Sequence, residues 1–305
     1  MLDKSAGDKT PPGLTLRQTL REHKDRINRI AWSPDGRILA SPANDKTIRL
    51  WDVQTGQLLC TLQSAPPKWI INAAWSPDGS MLASTSTDGN VRLWNVQTRE
   101  VLLTLQRRSF RANNIAWSPD RSMLASGSGD GTVRLWDVQT WEVLLTLKVH
   151  SDWVTSITWS PDGSILASSG NNTIRLWDVQ ERQTLHILRG HPDEILSVAW
   201  SPDGRVLASG SSARTIRLWN VQTWQLVNTL EGHTQAIDCI SFSYDGYLLA
   251  SKSRDGTVRI WRTDTWETVA ILEEPASYSW PPGLAFHPTD PVLATLGEKD
   301  TVIRI

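Results

Sequence analysis

The chain has 305 residues and a balanced charge, 31 Lys and Arg against 32 Asp and Glu, for a formal net charge of −1. That balance excludes attraction to nucleic acid or to an anionic membrane as its main business. No apolar run approaches membrane length and no charged-then-apolar leader opens the chain, so the sequence reads as a soluble, cytoplasmic protein.

Residues 1–13 are polar and rich in Pro and Gly, the composition of a flexible tail or linker. Residues 14–20 (LTLRQTL) alternate like an outer strand but follow no partner strands. Period-two alternation then marks four short strands at 30–32, 38–41, 47–51 and 58–62. Ser-Pro-Asp-Gly joins the first two, because Pro sets φ at the second place of a type I turn and Gly tolerates the exit. Tight Asn-Asp or Asp-Gly pairs join the second and third. The whole unit recurs every ~42 residues, a period that signals a closed or stacked array. WSPD ends at Asp35, Asp78, Asp120, Asp162 and Asp203, and looser copies (SFSYD, AFHPTD) end at Asp245 and Asp290.

One such unit cannot bury both faces of its sheet, but seven packed radially can, and a closed ring leaves no long exposed edge. The expected fold is all-β: a seven-bladed β-propeller of four-stranded antiparallel blades spanning residues 14–305. The seventh unit stops inside its third strand at Ile305, so residues 14–20 are expected to complete that blade and lock the ring. An end inside a strand also fits a piece cut from something longer. Cys60 and Cys239 lie on apolar strands of different units and are expected to be free thiols, forming neither a disulfide nor a metal pair.

The dipeptides Trp51-Asp52, Trp136-Asp137 and Trp177-Asp178, softened to Trp94-Asn95, Trp219-Asn220 and Trp261-Arg262, resemble the namesake of the WD-repeat family. Gly190-His191 and Gly232-His233 match its other signature. The resemblance covers residues 14–305. It implies a buried tetrad of His, Ser or Thr, Asp and Trp in each blade: His23, Ser41, Asp45 and Trp51 in the first, and His233, Ser251, Asp255 and Trp261 in the sixth. The fourth has His150, Ser168 and Trp177 with Asn171 for the acid, and the fifth His191, Ser209 and Trp219 with Ala213. Pro66 and Arg108 fill the His slot in the second and third, where Ser84, Asp88, Trp94 and Ser126, Asp130, Trp136 remain. A buried Asp without its His must find other donors, so blades two and three are expected to be the softer ones. The near-identity of the units resembles propeller arrays of bacterial proteins, in which such modules sense or scaffold beside a catalytic domain.

Seventeen tryptophans each need a place. Eleven fall on inner and third strands and are core by periodicity. Others fall six residues before the inner-strand aromatic, where the chain enters each blade at the top face. That column reads Arg26, Trp69, Arg111, Trp153, Glu194, Ala236 and Trp280, an arc of indoles and guanidiniums, the residue types most enriched in binding hot spots. Two residues further on, Asn28, Ile71, Asn113, Thr155, Leu196, Asp238 and Pro282 are expected to line the channel mouth. Packing of Arg on Trp between blades is the plainer reading of the arc. Trp141, Trp224 and Trp266 follow the third strand at the opposite end, where a second surface and local packing are equally open. Arg107, Arg108 and Arg111 form the one basic run, suited to an acidic or phosphorylated segment.

Catalysis is a poor fit. The Ser, His and Asp residues fall on repeated tetrads where a triad needs a single site. GSGDGT at 127–132 is flanked by strands, not by a strand and a helix as a phosphate loop requires. The expected function is a non-catalytic protein-interaction scaffold or sensor, without cofactor or metal, acting as a monomer or within a larger multidomain protein. The alternatives, in order, are a carbohydrate or small-ligand binder using exposed Trp, and a propeller enzyme with a site in the channel.

Overall fold

A computed structural model describes residues 13–63, 65–105, 110–274, 283–297 and 301–305. The 1–12 tail, Arg107, Arg108, Trp280 and Pro282 lie outside the described residues. The described strands form seven four-stranded antiparallel sheets. Blade one is Ala31–Trp32, Ile38–Pro42, Thr47–Asp52 and Leu58–Gln63, paired in sequence order from the channel outwards. Blades two to six repeat that order.

Blade seven draws on both ends of the chain. Leu284–Phe286, Leu293–Gly297 and Val302–Arg304 are followed in the sheet by Thr19–Arg21. The register pairs Thr19 with Arg304, Leu20 with Ile303 and Arg21 with Val302. Backbone bonds between Gln18 and Ile305 extend the ladder. The closing strand is thus shorter than the 14–20 run, and Leu14 and Leu16 are exposed while Leu20 is buried.

The SPDG turn is built by its own side chains. Ser33 Oγ donates to Asp35 Oδ1 (2.6 Å) and accepts Ile38 N–H (2.9 Å), while Gly36 N–H closes the turn on Ser33 O (2.8 Å). Its last residue is left-handed, with φ 72° at Gly36, and Arg121 takes the same conformation at φ 64° in blade three. Arg121 then pairs with Asp78 of the preceding blade.

Apolar residues meet between blades. Ala40, Ile48, Leu50 and Leu62 of blade one pack on Ile70, Trp75, Leu82 and Trp94 of blade two. Across the seam, Val292, Leu296 and Ile303 pack on Ile27, Ile30 and Trp32. A buried Trp of this size contributes roughly 2–3 kcal/mol by burial alone, and here it also hydrogen-bonds. The indole N–H groups of Trp32, Trp75, Trp117 and Trp159 donate to the inner strand of the preceding blade, at Ala285, Ala31, Ala74 and Ala116 (3.0–3.1 Å). Blade-to-blade contact is therefore both apolar and directional, which makes the ring a rigid frame.

Candidate binding face

Two complete tetrads stand where the sequence places them. In blade one His23 Nδ1–H donates to Asp45 (2.7 Å), His23 Nε2 accepts from Ser41 (2.7 Å), and Trp51 Nε1–H donates to Ser41 Oγ (2.8 Å). Blade six repeats this with His233, Asp255, Ser251 and Trp261 at 2.8–2.9 Å. Burial alone would raise Asp45, but the His23 and Thr47 hydrogen bonds overcome it and hold the carboxyl at about 2. These Ser, His and Asp side chains are consumed in holding hairpins together.

The incomplete sets resolve differently from expectation. Asp88, without a His, is gripped by Arg92 from its own hairpin (2.7 Å) and by Ser86 (2.6 Å), and these overcome burial to hold it at about 2. Asp130 is bonded by Thr132 (2.5 Å), with Arg134 at 4.0 Å. The tetrad atoms left orphaned lie in blades four and five. In blade four Ser168 and Trp177 are nine residues apart where Ser41 and Trp51 are ten, so the acidic slot has been deleted, not refilled. Asn171 sits exposed in a left-handed turn, 3.4 Å from Ser151, and Trp177 Nε1 has no partner. In blade five His191 bonds Ser209 (2.7 Å), but its Nδ1 is orphaned beside Ala213. Burial, assisted by Arg175 and Arg217, pushes His150 and His191 down to about 4.

On the top rim the backbone fixes five of these positions. The carbonyls of Arg26, Trp69, Arg111, Glu194 and Ala236 each accept an N–H from the neighbouring hairpin of the same blade (2.8–3.0 Å). Tethered by the main chain, the side chains of Arg26, Trp69 and Arg111 point to solvent; Trp69 is 46% exposed and Trp153 40%. Gly129 lies between Arg111 and Trp153, since a Cβ there would stand 3.5 Å from Trp153 Nε1 and 3.7 Å from Arg111 O. An Arg over an indole face does occur, at Arg259 over Trp261 within blade six. Glu194 is half-buried, and burial with Asp152 and Asp193 nearby raises its carboxyl.

The next column is mostly structural. Ile71, Asn113, Leu196 and Asp238 are the extra residues of bulges in the first ladder of their blades. Asn28 Nδ2–H donates to Ile70 O (2.6 Å) and Thr155 Oγ1–H to Ile195 O (2.5 Å), each stitching one blade to the next. Asp238 is fully buried and held by Arg254 at 2.9 Å.

A family model described as the IFT122 first beta-propeller matches residues 69–224, just over half of the chain, and the WD domain, G-beta repeat model matches residues 14–52 and 224–262. The chain belongs to the WD-repeat β-propeller family. Its curated relatives match over about one repeat. A probable cytosolic iron-sulfur protein assembly protein CIAO1 homolog of Ixodes scapularis is 49% identical over 41 residues, 13% of either chain. WD repeat-containing protein 18 of Danio rerio is 36% identical over 50 residues, 16% of this chain and 12% of its own. Nuclear distribution protein nudF of Aspergillus flavus is 39% identical over 49 residues, 16% and 11%. The chain thus spans only about an eighth of the length of these relatives.

At the bottom of this WD-repeat ring, Trp141, Trp224 and Trp266 adopt left-handed backbone at φ 57–60°, as do Gly56, Arg99 and Arg182 in the same turn. They are half-buried and pack inward: Trp141 edge-on to Trp117 at 6.0 Å, and Trp224 edge-on to Trp200 at 6.3 Å. All three pack against the cores between blades. At the same end a cavity of about 460 Å³ spans blades four to seven, lined by Thr158, Trp159, Trp200, Phe242, Tyr244 and His287 among others. Trp200 Nε1, the next member of the indole series, is buried without a hydrogen-bond partner.

Sequence reading missed one column of the propeller. Three residues before the inner-strand aromatic, the blades carry Arg29, Asn72, Asn114, Ser156, Ser197, Cys239 and Gly283. Asn114 Nδ2–H reaches Thr155 O (2.7 Å), and Ser156 and Ser197 accept N–H groups of Val198 and Ile240 (3.3 and 3.2 Å), so each binds the blade that follows. Aligning the copies column by column would have exposed Arg29 as the one charge among small side chains.

Proposed function

We propose that this chain is a non-catalytic interaction module that binds a peptide or protein segment across its top face in the cytoplasm. Trp69 and Trp153 serve as apolar anchors, and Arg26 and Arg111 supply charge-assisted contacts to an acidic or phosphorylated stretch. The observation that carries this reading is the pair of indoles left 40–46% exposed on a rim whose backbone is hydrogen-bonded in place at Arg26, Trp69 and Arg111. A preorganised rim loses little conformational freedom on binding. Trp280 belongs to the same arc by sequence alone. The relatives' printed names, an assembly protein and a nuclear distribution protein among them, are compatible with work in complexes. A net charge of −1 disfavours nucleic acid, and no helix among the described residues is long and apolar enough to cross a membrane.

The small-ligand reading rests on a different place, the cavity of about 460 Å³ on the bottom face lined by Trp159, Trp200 and Phe242. Affinity capture from native lysate separates the two. Wild type is compared with a Trp69→Ala/Arg111→Ala/Trp153→Ala variant that melts normally. A partner held by wild type and lost by the variant supports top-face docking. Equal capture by both retires it, and capture by neither turns attention to the bottom cavity.

A further inference from the structure

Arg29 does not bind the blade that follows its own. It donates from a terminal nitrogen to Thr155 O in blade four (3.3 Å). Blade four is three places round the ring from blade one, so the guanidinium lies across the channel. Its Nε is buried and has no hydrogen-bond partner, a state shared by Arg49, Arg175, Arg217 and Arg259 of the third strands, so the reach across the channel is what sets Arg29 apart.

No carboxylate answers that charge among the described residues. Asp238 is committed to Arg254 through three contacts of 2.9–3.1 Å. The titratable group that acts on Arg29 is the Cys239 thiol. Burial raises Cys239, so at neutral pH it is an uncharged thiol and no counter-ion. Arg, by contrast, keeps its charge at any physiological pH, and the half-buried Arg29 is only partly hydrated, so its charge lacks part of the stabilisation that water or a partner would supply. On the turns above blades one to three, Lys24, Arg26, Lys46, Lys68 and Arg111 are exposed, opposed by the exposed acids Asp25 and Glu22, the latter paired with Arg49. Anions are therefore drawn to the channel from the side of blades one to three, while Asp152, Asp193 and Glu194 make the blade four and five side acidic.

We propose that the upper channel is an oxyanion site in which the Arg29 guanidinium pairs with a carboxylate or phosphate group entering from the top face. The forked donor geometry of Arg suits either group. The oxyanion comes free from solution or on a side chain of a docked segment. The site does not depend on the rim tryptophans.

The test is a set of thermal melts of the purified chain in chloride, acetate, inorganic phosphate and a blocked Ala-Glu-Ala tripeptide, at matched ionic strength. Wild type is expected to melt higher with at least one oxyanion than in chloride. Arg29→Met is expected to melt above wild type in chloride, because the uncompensated charge is gone, and to bind the oxyanion about tenfold or more weakly. A response to acetate or phosphate means that a small anion suffices; a response to the tripeptide alone means that a docked segment carries it. Both support the site. A Trp69→Ala/Trp153→Ala variant keeps the full response, so the rim reading can fail while the channel site stands. Arg29→Lys retains charge without the fork and is expected to respond weakly, which covers a failure of Arg29→Met to fold. The proposal is overturned by a wild type indifferent to all three probes, by Arg29→Met or Arg29→Lys responding like wild type, or by loss of the response in the double Trp variant.

Discussion

His191 shows what the acid of the tetrad does, because here it is missing. The imidazole keeps its bond to Ser209 and its place against Trp219, yet Nδ1–H is buried without an acceptor and burial depresses the ring from 6.5 to about 4. The unfolded chain therefore binds a proton that the folded chain refuses between those two values. Stability is complete above pH 6.5 and drains away as the pH falls towards 4, by roughly 3 kcal/mol for a displacement of this size. Ala213→Asp restores the acceptor in the geometry that Asp45 occupies. The variant should melt higher than wild type, by about 1 kcal/mol of stability at pH 8, and the gap should widen at pH 5 because the paired imidazole can now take up its proton. Paired melts at the two pH values check this; a gap that narrows on acidification refutes it. At this scale the sequence was legible wherever a residue type has one strong partner, as in the two complete tetrads. It was misread where a substitute came from the same hairpin: Asp88 is satisfied by Arg92, and the loss in blade four is a one-residue deletion that Asn171 conceals.

The SPDG turn carries the next level of order, since one short motif sets the exit of the inner strands of blades one, two, four and five and yet serves different neighbours. Gly36 and Gly79 share it at φ 72° and 71°. A Cβ at Gly79 would meet only Pro34 Cδ at 3.6 Å, whereas at Gly36 it would land 2.0 Å from His287 Nε2. His287 is the seventh unit's departure from the consensus Ser. Its ring donates to Gly36 O (3.0 Å), accepts the N–H of Asp290 (3.0 Å) and stands edge-on to Trp32 at 4.7 Å. Gly79→Ala should cost about 1 kcal/mol of backbone strain. Gly36→Ala should cost roughly 2–4 kcal/mol, because His287 must also surrender its contacts. Denaturation of the two variants side by side isolates the seam contact, and equal costs would mean that His287 yields freely. Alternation and turn chemistry made the strands readable to within a residue or two. The left-handed turn that turns Trp141, Trp224 and Trp266 inward was not readable, because Arg and Gly share that position and none of them advertises its φ.

Around the whole ring, cores lie between blades, so no blade is stable by itself and closure is a global condition. Thr19–Arg21 supplies that closure and buries Leu20 against Ile27 and Ile303. Deleting residues 1–21 strips the outer strand from blade seven and should lower the melting temperature by at least about 5 °C. An unchanged melt would show that blade seven holds without it. The repeat made this architecture plain in the sequence. The channel was less so, because periodicity reports which face a side chain takes and not how far a long one reaches, as Arg29 does. The register of the seam also has a mechanical meaning. With Thr19 opposite Arg304 and Arg21 opposite Val302, both chain directions leave the ladder at the same end. Tension applied through them peels the two strands apart one pair at a time and does not load the ladder in shear. The ring would open at a low force along this line while blades one to six kept their internal sheets, a built-in point of mechanical release.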